Sequence, residues 1–312
     1  MPKIIVEICQ NFKGDKKILK EMIYQAKASG ADIAKVQSYL SSELTPRPEF
    51  ETENPSGIVR PYQVEFDRLK SADLSDEDMA WFVAECRKVG IEPMTTIFTR
   101  QRIPYLSTLD WSQVKVASYD CASYPMILEL KEKFKHLYIS TGATYDAEIE
   151  KTAKLLAGKS FSFIHCVTIY PTPLAELNLA RMQWLSQFTP SVGFSDHSLV
   201  SRDGILASLS ALALGADVIE RHFTILDPSE SKDGPVSINP AQLKELADWA
   251  KKPKVEILEY VKKNVDNWQQ VIGQPTREMS QAEINNRAYY RGRFASKVGD
   301  EWIYNWQDKK VF

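Results

Sequence analysis

The sequence predicts a (β/α)8 barrel, an α/β fold in which eight parallel strands alternate with helices. Short runs rich in β-branched residues recur along the 312 residues, and a helical pattern of ten or more residues separates most neighbouring runs. The runs are apolar almost throughout, as in parallel strands that are buried on both faces. No G-x-G-x-x-G or phosphate-loop motif follows the first strand, so an open nucleotide-binding sheet is less favoured.

The predicted strands occur at residues 4–8, 31–37, 91–98, 113–118, 137–142, 162–168, 191–198 and 218–224. The first helix begins at Asp15, a suitable N-cap, and ends at Gly30. The helix before the third strand begins after Ser75 and ends at Gly90, and Ser75 stands three residues before Asp78 as in a capping box. An apolar helix at 205–215 connects the last two strands.

Two stretches lie outside the barrel pattern. Residues 41–73 are polar and contain proline, and they are too long for a routine connection, which indicates a functional or partner-binding surface. Residues 273–312 are rich in arginine and end in large aromatic residues, which is typical of a tail that packs against another surface, such as a second subunit. We therefore expect a catalytic barrel at 1–272 and a short C-terminal tail at 273–312.

Composition excludes several classes of protein. A hydrophobic content of 44% allows a large core, while a net charge of −2 offers no global positive field for nucleic acid. No run of eighteen apolar residues predicts a membrane span, and the first strand begins too early for a signal peptide. The four cysteines are scattered, which fits a reducing compartment. A cytoplasmic protein is expected.

Polar side chains occur at the predicted carboxyl end of every strand, where barrel enzymes carry their reactive groups. These residues are Glu7, Lys35, Gln37, Thr96, Lys115, Ser118, Asp120, Ser140, Thr141, Thr168, Tyr170, Ser195, Asp196, His197, Glu220 and His222. Two lysines among hydroxyl groups suit an anionic ligand such as a phosphate or a carboxylate. Glu7 and Asp120 could hold sugar hydroxyls or move a proton.

Two of the four histidines, His197 and His222, occupy corresponding positions at the ends of adjacent strands. Two imidazoles placed in this way can share a divalent ion such as Mn²⁺, Fe²⁺, Co²⁺ or Zn²⁺. His165, inside an apolar strand, is expected to be a hydrogen-bonded core residue, and Cys9 and Cys166 are expected to be small buried groups. The combination predicts a small phosphorylated anion beside a metal-activated carbonyl.

Seven motifs in this order resemble the sialic acid synthases, the family of the N-acetylneuraminate, pseudaminic and legionaminic acid synthases. They are E-I-C-Q-N-F-K-G-D at 7–15, A-K-V-Q at 34–37, K-V-A-S at 115–118, I-S-T-G at 139–142, H-C-V-T-I-Y-P-T-P at 165–173, G-F-S-D-H-S at 193–198 and E-R-H-F-T at 220–224. The likeness extends from about residue 4 to residue 250.

The resemblance implies an enzyme, a homodimeric barrel that condenses phosphoenolpyruvate with an N-acetylmannosamine-like aldehyde sugar. The product would be a 3-deoxy-2-keto sugar acid, a sialic acid-like nonulosonate, and phosphate would be released. A divalent metal, most often Mn²⁺ in the family, would be held at His197 and His222. Phosphoenolpyruvate would contact Lys35, Thr96, Lys115, Ser118, Ser140 and Ser195, with Thr168 nearby, and the sugar would contact Glu7, Gln37, Asp120 and Tyr170. Catalysis would fall mainly to Glu7, Lys35, Lys115 and His222.

Three departures from the family pattern affect these expectations. Cys9 replaces a glycine and Phe12 replaces a histidine in the first motif. Asp233 precedes Gly234 where the family has an aspartate after glycine and proline, and it is the candidate for that sugar-contacting carboxylate. Residues 286–296 resemble the entry to the family's antifreeze-like domain, most of which this chain is expected to lack. The arginine which that domain donates to the sugar therefore has no secure counterpart among these residues.

Three alternatives remain open from the residues. The first is a synthase of another 3-deoxy-ulosonic acid, which would use a non-acylated aldose. The second is a metal-dependent sugar isomerase or epimerase, which would need more carboxylates around the metal. The third is a non-catalytic sugar-binding barrel, which the shortened C-terminus favours and which the paired lysines and histidines disfavour.

Overall fold

The computed structural model describes residues 1–306, and its eight barrel strands hydrogen-bond in chain order and close on themselves, as predicted. The strands are parallel, and apolar residues such as Ile5 and Val114 are fully buried in them. The barrel strands are β1 (Lys3–Glu7), β2 (Ile33–Ser38), β3 (Glu92–Ile97), β4 (Gln113–Val116), β5 (His136–Ser140), β6 (Ser160–His165), β7 (Val192–Asp196) and β8 (Val218–His222).

Helices separate the strands and continue after the last one. They are α1 (Lys16–Ala28), α2 (Tyr62–Lys70), α3 (Asp76–Val89), α4 (Ile103–Leu106), α5 (Tyr124–Lys133), α6 (Asp146–Leu155), α7 (Arg181–Leu185), α8 (Val200–Asp203), α9 (Leu206–Ala213), α10 (Pro240–Trp249), α11 (Lys254–Asn264), α12 (Trp268–Ile272) and α13 (Gln281–Tyr290). The predicted caps are confirmed. The side chain of Asp15 accepts from the amide of Lys17, and Ser75 and Asp78 exchange side chain–backbone hydrogen bonds of 3.1 Å.

Some boundaries differ from those predicted. Helix α2 lies inside the stretch 41–73, where the sequence analysis placed no helix. It was not predicted because it has few apolar residues, one of which, Val64, is exposed. The predicted fourth, fifth and sixth strands run past the observed ends at Val116, Ser140 and His165. The chain turns there because small and hydroxylated residues follow, and the extra residues belong to loops at the strand ends.

The chain divides into two compact units. The first comprises Met1–Val36, Ala84–Pro93 and Ser162–Glu278, and the second comprises Gln37–Val83, Met94–Phe161 and the residues from Met279 onwards. In the first unit Glu7 pairs in register with Lys35 on one side and with His222 on the other, and Ser195 pairs with Glu220. This register places the charged strand ends of β1, β2, β7 and β8 beside one another.

Gly193 is required where β7 packs in the first unit. A methyl group added to it would lie 2.6 Å from the side chain of Ile164 and 2.7 Å from the backbone oxygen of Val218. No side chain larger than hydrogen fits there unless a strand moves. The glycine of the G-F-S-D-H-S motif therefore serves strand packing.

In the second unit, the C-terminal residues pack against the loops of that same unit. Helix α13 is followed by an antiparallel hairpin of β9 (Ala295–Val298) and β10 (Glu301–Tyr304). The guanidinium of Arg47 donates to the carbonyl oxygen of Tyr289 at 2.9 Å, and the amide of Asn305 donates to the carbonyl oxygen of Phe98 at 2.7 Å. The last part of the predicted tail, 307–312, lies outside the described residues.

Within residues 1–306, no helix combines the length and the apolar character that crossing a membrane requires. The four cysteines all lie in this range, each is buried, and none forms a disulfide.

Candidate active site

At the ends of β7 and β8, successive side chains point to opposite faces of the strands, and the two faces have different neighbours. Ser195 and Glu220 are direct neighbours across the strands, and the hydroxyl of Ser195 donates to Oε1 of Glu220 at 2.8 Å. Because successive side chains of a strand point to opposite faces, Asp196 and Arg221 lie on the other side. There Asp196 accepts from the hydroxyl of Ser208, which precedes Leu209 on helix α9, at 2.6 Å.

Asp196 and Arg221 form an ion pair with both side chains completely buried. Arg221 also donates to the hydroxyl of Ser198 at 2.9 Å and to the carbonyl oxygen of Ser198 at 3.0 Å, and Asp196 accepts from the amide of Ser198 at 2.8 Å. Burial opposes ionisation of Asp196, but the Arg221 guanidinium and these hydrogen bonds outweigh it and hold the pKa of the carboxyl below its ordinary value. The pair therefore fixes the chain on both sides of His197.

His197 is neutral, and its hydrogen bonds determine the tautomer. Its Nδ1 lies 3.1 Å from the carbonyl oxygen of Val167, which only accepts, so Nδ1 carries the proton. Its Nε2 is therefore the acceptor for the hydroxyl of Tyr170 at 2.8 Å, and the Tyr170 ring stacks on the imidazole with 4.0 Å between centroids. Burial, together with the nearby His222, lowers the pKa of His197 to about 3.

His222 lies beside His197, with 5.6 Å between the ring centroids. Burial lowers its pKa, and its Nδ1 is enclosed without a hydrogen-bond partner among the residues that the structure describes. A ring nitrogen of His222, Sγ of Cys9 and a carboxylate oxygen of Asp233 all lie within 4.8 Å of one another. The thiol of Cys9 is 3.1 Å from Oδ2 of Asp233.

Lys35 is buried between two carboxylates of the same unit. Its ammonium group contacts the carboxylate of Glu7 directly and lies 3.6 Å from Oε2 of Glu220. One positive and two negative charges leave this group with a net charge of −1, next to two neutral imidazoles. An excess of negative charge among neutral nitrogen donors suits a cation.

The remaining predicted residues of the first unit join this cluster to different extents. Tyr170 is half exposed and contacts His197 through its hydroxyl, as described above. Thr168 is buried in the loop after β6. His165 is a hydrogen-bonded core residue as predicted, because its Nε2 lies 2.7 Å from the carbonyl oxygen of Leu177.

The second unit carries the other predicted residues at its own strand ends. Thr96 on β3 pairs in register with Lys115 on β4, and both side chains are buried. Ser118 and Asp120 share the turn after β4, and Asp120 accepts from the hydroxyl of Ser123 at 2.7 Å. The other three predicted residues of this unit are Gln37 on β2, Ser140 at the end of β5 and Thr141 directly after it, and the last two are buried.

Burial raises the pKa of Asp120 to about 6, although Ser123 and Asn305 both donate hydrogen bonds to it. Asn305 lies in the C-terminal stretch and reaches Oδ1 of Asp120 at 3.3 Å. The carboxyl of Asp120 can thus hold a proton near neutral pH. A neutral carboxyl donates a hydrogen bond where a carboxylate cannot.

The family model for NeuB matches residues 22–259, most of the chain. The chain belongs to the NeuB family. It is 32% identical over 272 residues to the N,N′-diacetyllegionaminic acid synthase of Legionella pneumophila, covering 85% of this chain and 75% of that one. It is 26% identical to a pseudaminic acid synthase of Campylobacter jejuni, covering 94% and 81% of the two chains. The predicted family resemblance is confirmed.

Solved structures agree on the fold. The N-acetylneuraminic acid synthetase of Leptospira borgpetersenii superimposes with a TM-score of 0.70 at 24% identity, covering 93% of each chain. A spore coat polysaccharide biosynthesis protein of Bacillus subtilis gives a TM-score of 0.73 at 24% identity, covering 92% of this chain and 77% of that one. A truncated 3-deoxy-D-arabino-heptulosonate 7-phosphate synthase of Thermotoga maritima reaches 0.60 at 13% identity, with coverage of 84% and 87%.

The residues of this NeuB family member fit a divalent metal ion. The fit rests on the buried Nδ1 of His222, which has no partner in the described part of the chain, and on the neutral state of His197. Imidazole nitrogens, a carboxylate oxygen and a thiol are all within the ligand chemistry of borderline divalent ions. His222 offers a buried ring nitrogen to such an ion, while Nε2 of His197 lies 2.8 Å from the hydroxyl of Tyr170.

Sequence reasoning listed Glu220 among the strand-end residues without giving it a role, did not select Arg221, and expected Cys9 to be a small buried group. Glu220 stands two residues before His222, and the two-residue period of a strand could have placed both side chains on one face. Arg221 gave no such signal, because an arginine next to a predicted ligand is usually a solvated charge. Cys9 reaches Asp233 across 224 positions of sequence, a distance that no local pattern encodes.

We expect Arg221→Met to lower the free energy of unfolding by about 3–5 kcal/mol, because Asp196 would remain as a buried charge without its partner. Urea denaturation measures this loss. Asp196→Asn in the Arg221→Met background should restore part of it, since the amide removes the charge and still accepts from Ser198. The exposed pair of Lys244 and Asp248 gives the control, and Lys244→Met should change stability by less than about 1 kcal/mol. Equal losses in both single variants would contradict the buried-pair argument.

The raised pKa of Asp120 predicts a pH-dependent stability. Well below its ordinary pKa of 3.8 the carboxyl is protonated in both the folded and the unfolded chain. Between 3.8 and about 6 the unfolded chain loses the proton first, so stability falls as pH rises. Asp120→Asn removes this effect. Between pH 4 and pH 8, the unfolding free energy of the variant minus that of wild type should therefore increase by about 1–3 kcal/mol. Denaturant unfolding at both pH values checks this.

Asp248→Asn supplies the control for the sign of this effect. Hydrogen bonds from Lys244 and Lys251 lower the pKa of Asp248. The unfolding free energy of Asp248→Asn, relative to that of wild type, should therefore fall as pH rises. A stability difference for Asp120→Asn that did not vary with pH would contradict the shifted pKa.

Proposed function

We propose that this protein condenses phosphoenolpyruvate with an aldehyde sugar to form a 3-deoxy-2-keto sugar acid and phosphate. The observation that carries the proposal is the buried cluster of the first unit, in which Lys35 lies between Glu7 and Glu220 beside two neutral histidines. Membership of the NeuB family supports it, because relatives named as legionaminic and pseudaminic acid synthases match over most of the chain.

In the proposed reaction, carbon 3 of phosphoenolpyruvate forms a bond to the aldehyde carbon, and the aldehyde oxygen becomes a hydroxyl. Water adds at carbon 2, and the bond from carbon 2 to the phosphate oxygen breaks as phosphate leaves. The balance is phosphoenolpyruvate, aldehyde and water to keto acid and phosphate. The enzyme must therefore neutralise an anion, stabilise a developing alkoxide and move protons.

His197 and His222 would hold a divalent metal ion, for which the family resemblance favours Mn²⁺. Such an ion supplies Lewis acidity at the aldehyde oxygen. Asp196 and Arg221 keep both imidazoles in position, and Nδ1 of His197 is anchored on the carbonyl of Val167. Burial keeps both rings neutral and therefore able to bind a cation.

The lysines are proposed to compensate the charge of phosphoenolpyruvate. In the first unit Lys35 is already paired with carboxylates, so an arriving anion would compete with Glu7 and Glu220 for its ammonium protons. In the second unit Lys115 lies beside Thr96 and can donate to an anion. The hydroxyl-bearing residues assigned to phosphoenolpyruvate are Thr96, Ser118, Ser140, Thr168 and Ser195.

The sugar is proposed to contact acidic and aromatic residues. Glu7, released from Lys35, can accept a proton from a hydroxyl, and Tyr170 offers a half-exposed hydroxyl. Asp120 can present a neutral carboxyl near pH 6. Gln37 and Asp233 complete the proposed contacts. We propose N-acetylmannosamine or a related N-acyl sugar as the acceptor.

The proposal extends to the assembly. We propose a cytoplasmic homodimer with a catalytic barrel at 1–272, and we propose that the stretch from 273 corresponds to the entry of the family's antifreeze-like domain. The match at 286–296 supports this assignment, as do the hydrogen bonds from Arg47 and Asn305 that fix this stretch in the second unit. Light scattering of the purified chain measures the oligomeric state.

We expect phosphate release from phosphoenolpyruvate when the protein is mixed with a divalent ion and the correct aldose. The panel contains N-acetylmannosamine, its 6-deoxy-diamino relatives, mannose, arabinose and shorter aldoses, each with Mn²⁺, Co²⁺ or Zn²⁺. Release with an N-acyl sugar, and the matching keto-acid mass, would establish the proposed acceptor. Release with a plain aldose would assign another 3-deoxy-ulosonic acid. His222→Ala should abolish release, and His136→Ala, at a histidine of the second unit, should not. Absence of release under every condition would refute the proposed function.

We expect Lys115→Ala to raise the KM for phosphoenolpyruvate about 10- to 100-fold, because one charge-assisted hydrogen bond to the anion is lost. The KM for the sugar should change little. Steady-state kinetics with each substrate varied in turn measures both constants, and Lys133→Ala, on the exposed end of α5, is the matched control. An unchanged KM for phosphoenolpyruvate would contradict the placement of Lys115.

A further inference from the structure

We propose that Cys9 provides a thiolate ligand to the divalent ion at His222, together with Asp233, and that this site prefers a thiophilic ion such as Zn²⁺ or Co²⁺ to Mn²⁺. The inference rests on the metal site of the proposed function and deepens it. Neither NeuB family membership nor the relatives' names assign a role to this cysteine.

The first argument is the distance between donor atoms. Sγ of Cys9, a ring nitrogen of His222 and a carboxylate oxygen of Asp233 lie within 4.8 Å of one another. In a tetrahedral zinc site, bonds of about 2.0–2.3 Å separate neighbouring donor atoms by roughly 3.5 Å. The three side chains can reach that spacing by small rotations. Cys9 and Asp233 are already closer, with 3.1 Å between Sγ and Oδ2.

The second argument is the state of His222. Its Nδ1 is buried and lacks a hydrogen-bond partner within residues 1–306, and the whole side chain is 93% buried. A buried polar nitrogen without a partner is costly, and a bound water or ion is one way in which folded proteins satisfy such a group. The cluster with the thiol and the carboxylate contains a ring nitrogen of this same imidazole.

The third argument is the local backbone. Cys9 follows β1 with a left-handed φ of 51°, and its amide donates to Oε1 of Glu7 at 2.8 Å. A residue with a side chain is strained in this conformation, and glycine would avoid the strain. Because the turn is fixed in this way, the thiol is held at the side of Asp233, where it can act as a ligand.

The charge balance also fits a thiolate–metal bond. When the ion binds, the S–H bond breaks as the sulfur–metal bond forms, and the proton leaves to solvent through the partly exposed carboxylate of Asp233. Glu7, Glu220 and Asp233 carry three negative charges against one positive charge on Lys35, a formal net charge of −2, and a dication bound together with a thiolate reduces this to −1. Thiolate ligands favour zinc and cobalt, whereas Mn²⁺ prefers oxygen ligands.

The test is titration of the metal-free, full-length protein with Co²⁺, followed by absorption spectroscopy in the absence of substrates. We expect the near-ultraviolet charge-transfer band of a cobalt–thiolate bond in wild type and in Cys86→Ser, whose buried cysteine lies on helix α3. The band should be absent in Cys9→Ser, in Cys9→Gly and in His222→Ala. Cys9→Gly suits the left-handed turn and guards against misfolding of the serine variant.

Competition with a chromophoric chelator gives the metal preference. Cys9→Gly should lower the affinity for Zn²⁺ by about 10- to 100-fold or more and leave the affinity for Mn²⁺ nearly unchanged. Cobalt bound to wild type without the band, a band that persists in folded Cys9→Gly, or no cobalt binding at all would overturn the proposal. The cobalt titration contains no substrates, so its outcome does not depend on whether the protein releases phosphate. Likewise, the phosphate-release assay does not depend on whether Cys9 is a metal ligand.

Discussion

The buried ion pair between Asp196 and Arg221 is the interaction on which the candidate site depends. It joins β7 to β8 on the side of the strands that carries Ser208 and the turn at Ser198, and water has no access to it. Strand alternation then fixes the opposite side, where Ser195 meets Glu220 and where His197 and His222 follow. A charge pair costs much to bury, and here hydrogen bonds from Ser198 and Ser208 satisfy the remaining lone pairs of the carboxylate. Two histidines on separate strands that are proposed to share one ion need a rigid connection of this kind.

The electrostatics of the first unit explain how one cluster can serve both a cation and an anion. Burial keeps the imidazoles neutral, so they add no positive charge that would repel a metal. The ammonium group of Lys35 is paired with the carboxylates of Glu7 and Glu220, whose two negative charges exceed its one positive charge. A bound dication would offset part of this negative charge and leave the lysine more available to an anionic substrate. Binding of the cation and of the anion would therefore support each other.

The sequence predicted the barrel and indicated which polar residues lie at the strand ends, because both leave local signals. Buried parallel strands are apolar throughout, caps such as Asp15 stand at fixed offsets, and polar residues follow each strand. The contacts of Cys9, Asn11 and Asp233 were not predictable, since they join residues more than 200 positions apart. The pairing of Lys35 with carboxylates also escaped, because a sequence shows charges without showing which of them meet. Helix α2 was missed because its residues are mostly polar and one of its few apolar ones is exposed.

The thiol of Cys9 and the carboxylate of Asp233, which both depart from the family pattern, are positioned by the same set of contacts. The side-chain amide of Asn11 donates to the carbonyl oxygen of Phe223 and to the hydroxyl of Ser237, both at 2.9 Å, so it ties the turn after β1 to the loop after β8. Gly234 approaches the carbonyl oxygen of Pro228 so closely that any side chain there would overlap it. The carboxylate must therefore come from a neighbour of this glycine, and Asp233 faces the turn that carries Cys9. A glycine at position 9 would leave that carboxylate without the thiol, so the two departures from the family pattern act together on the ligands around His222.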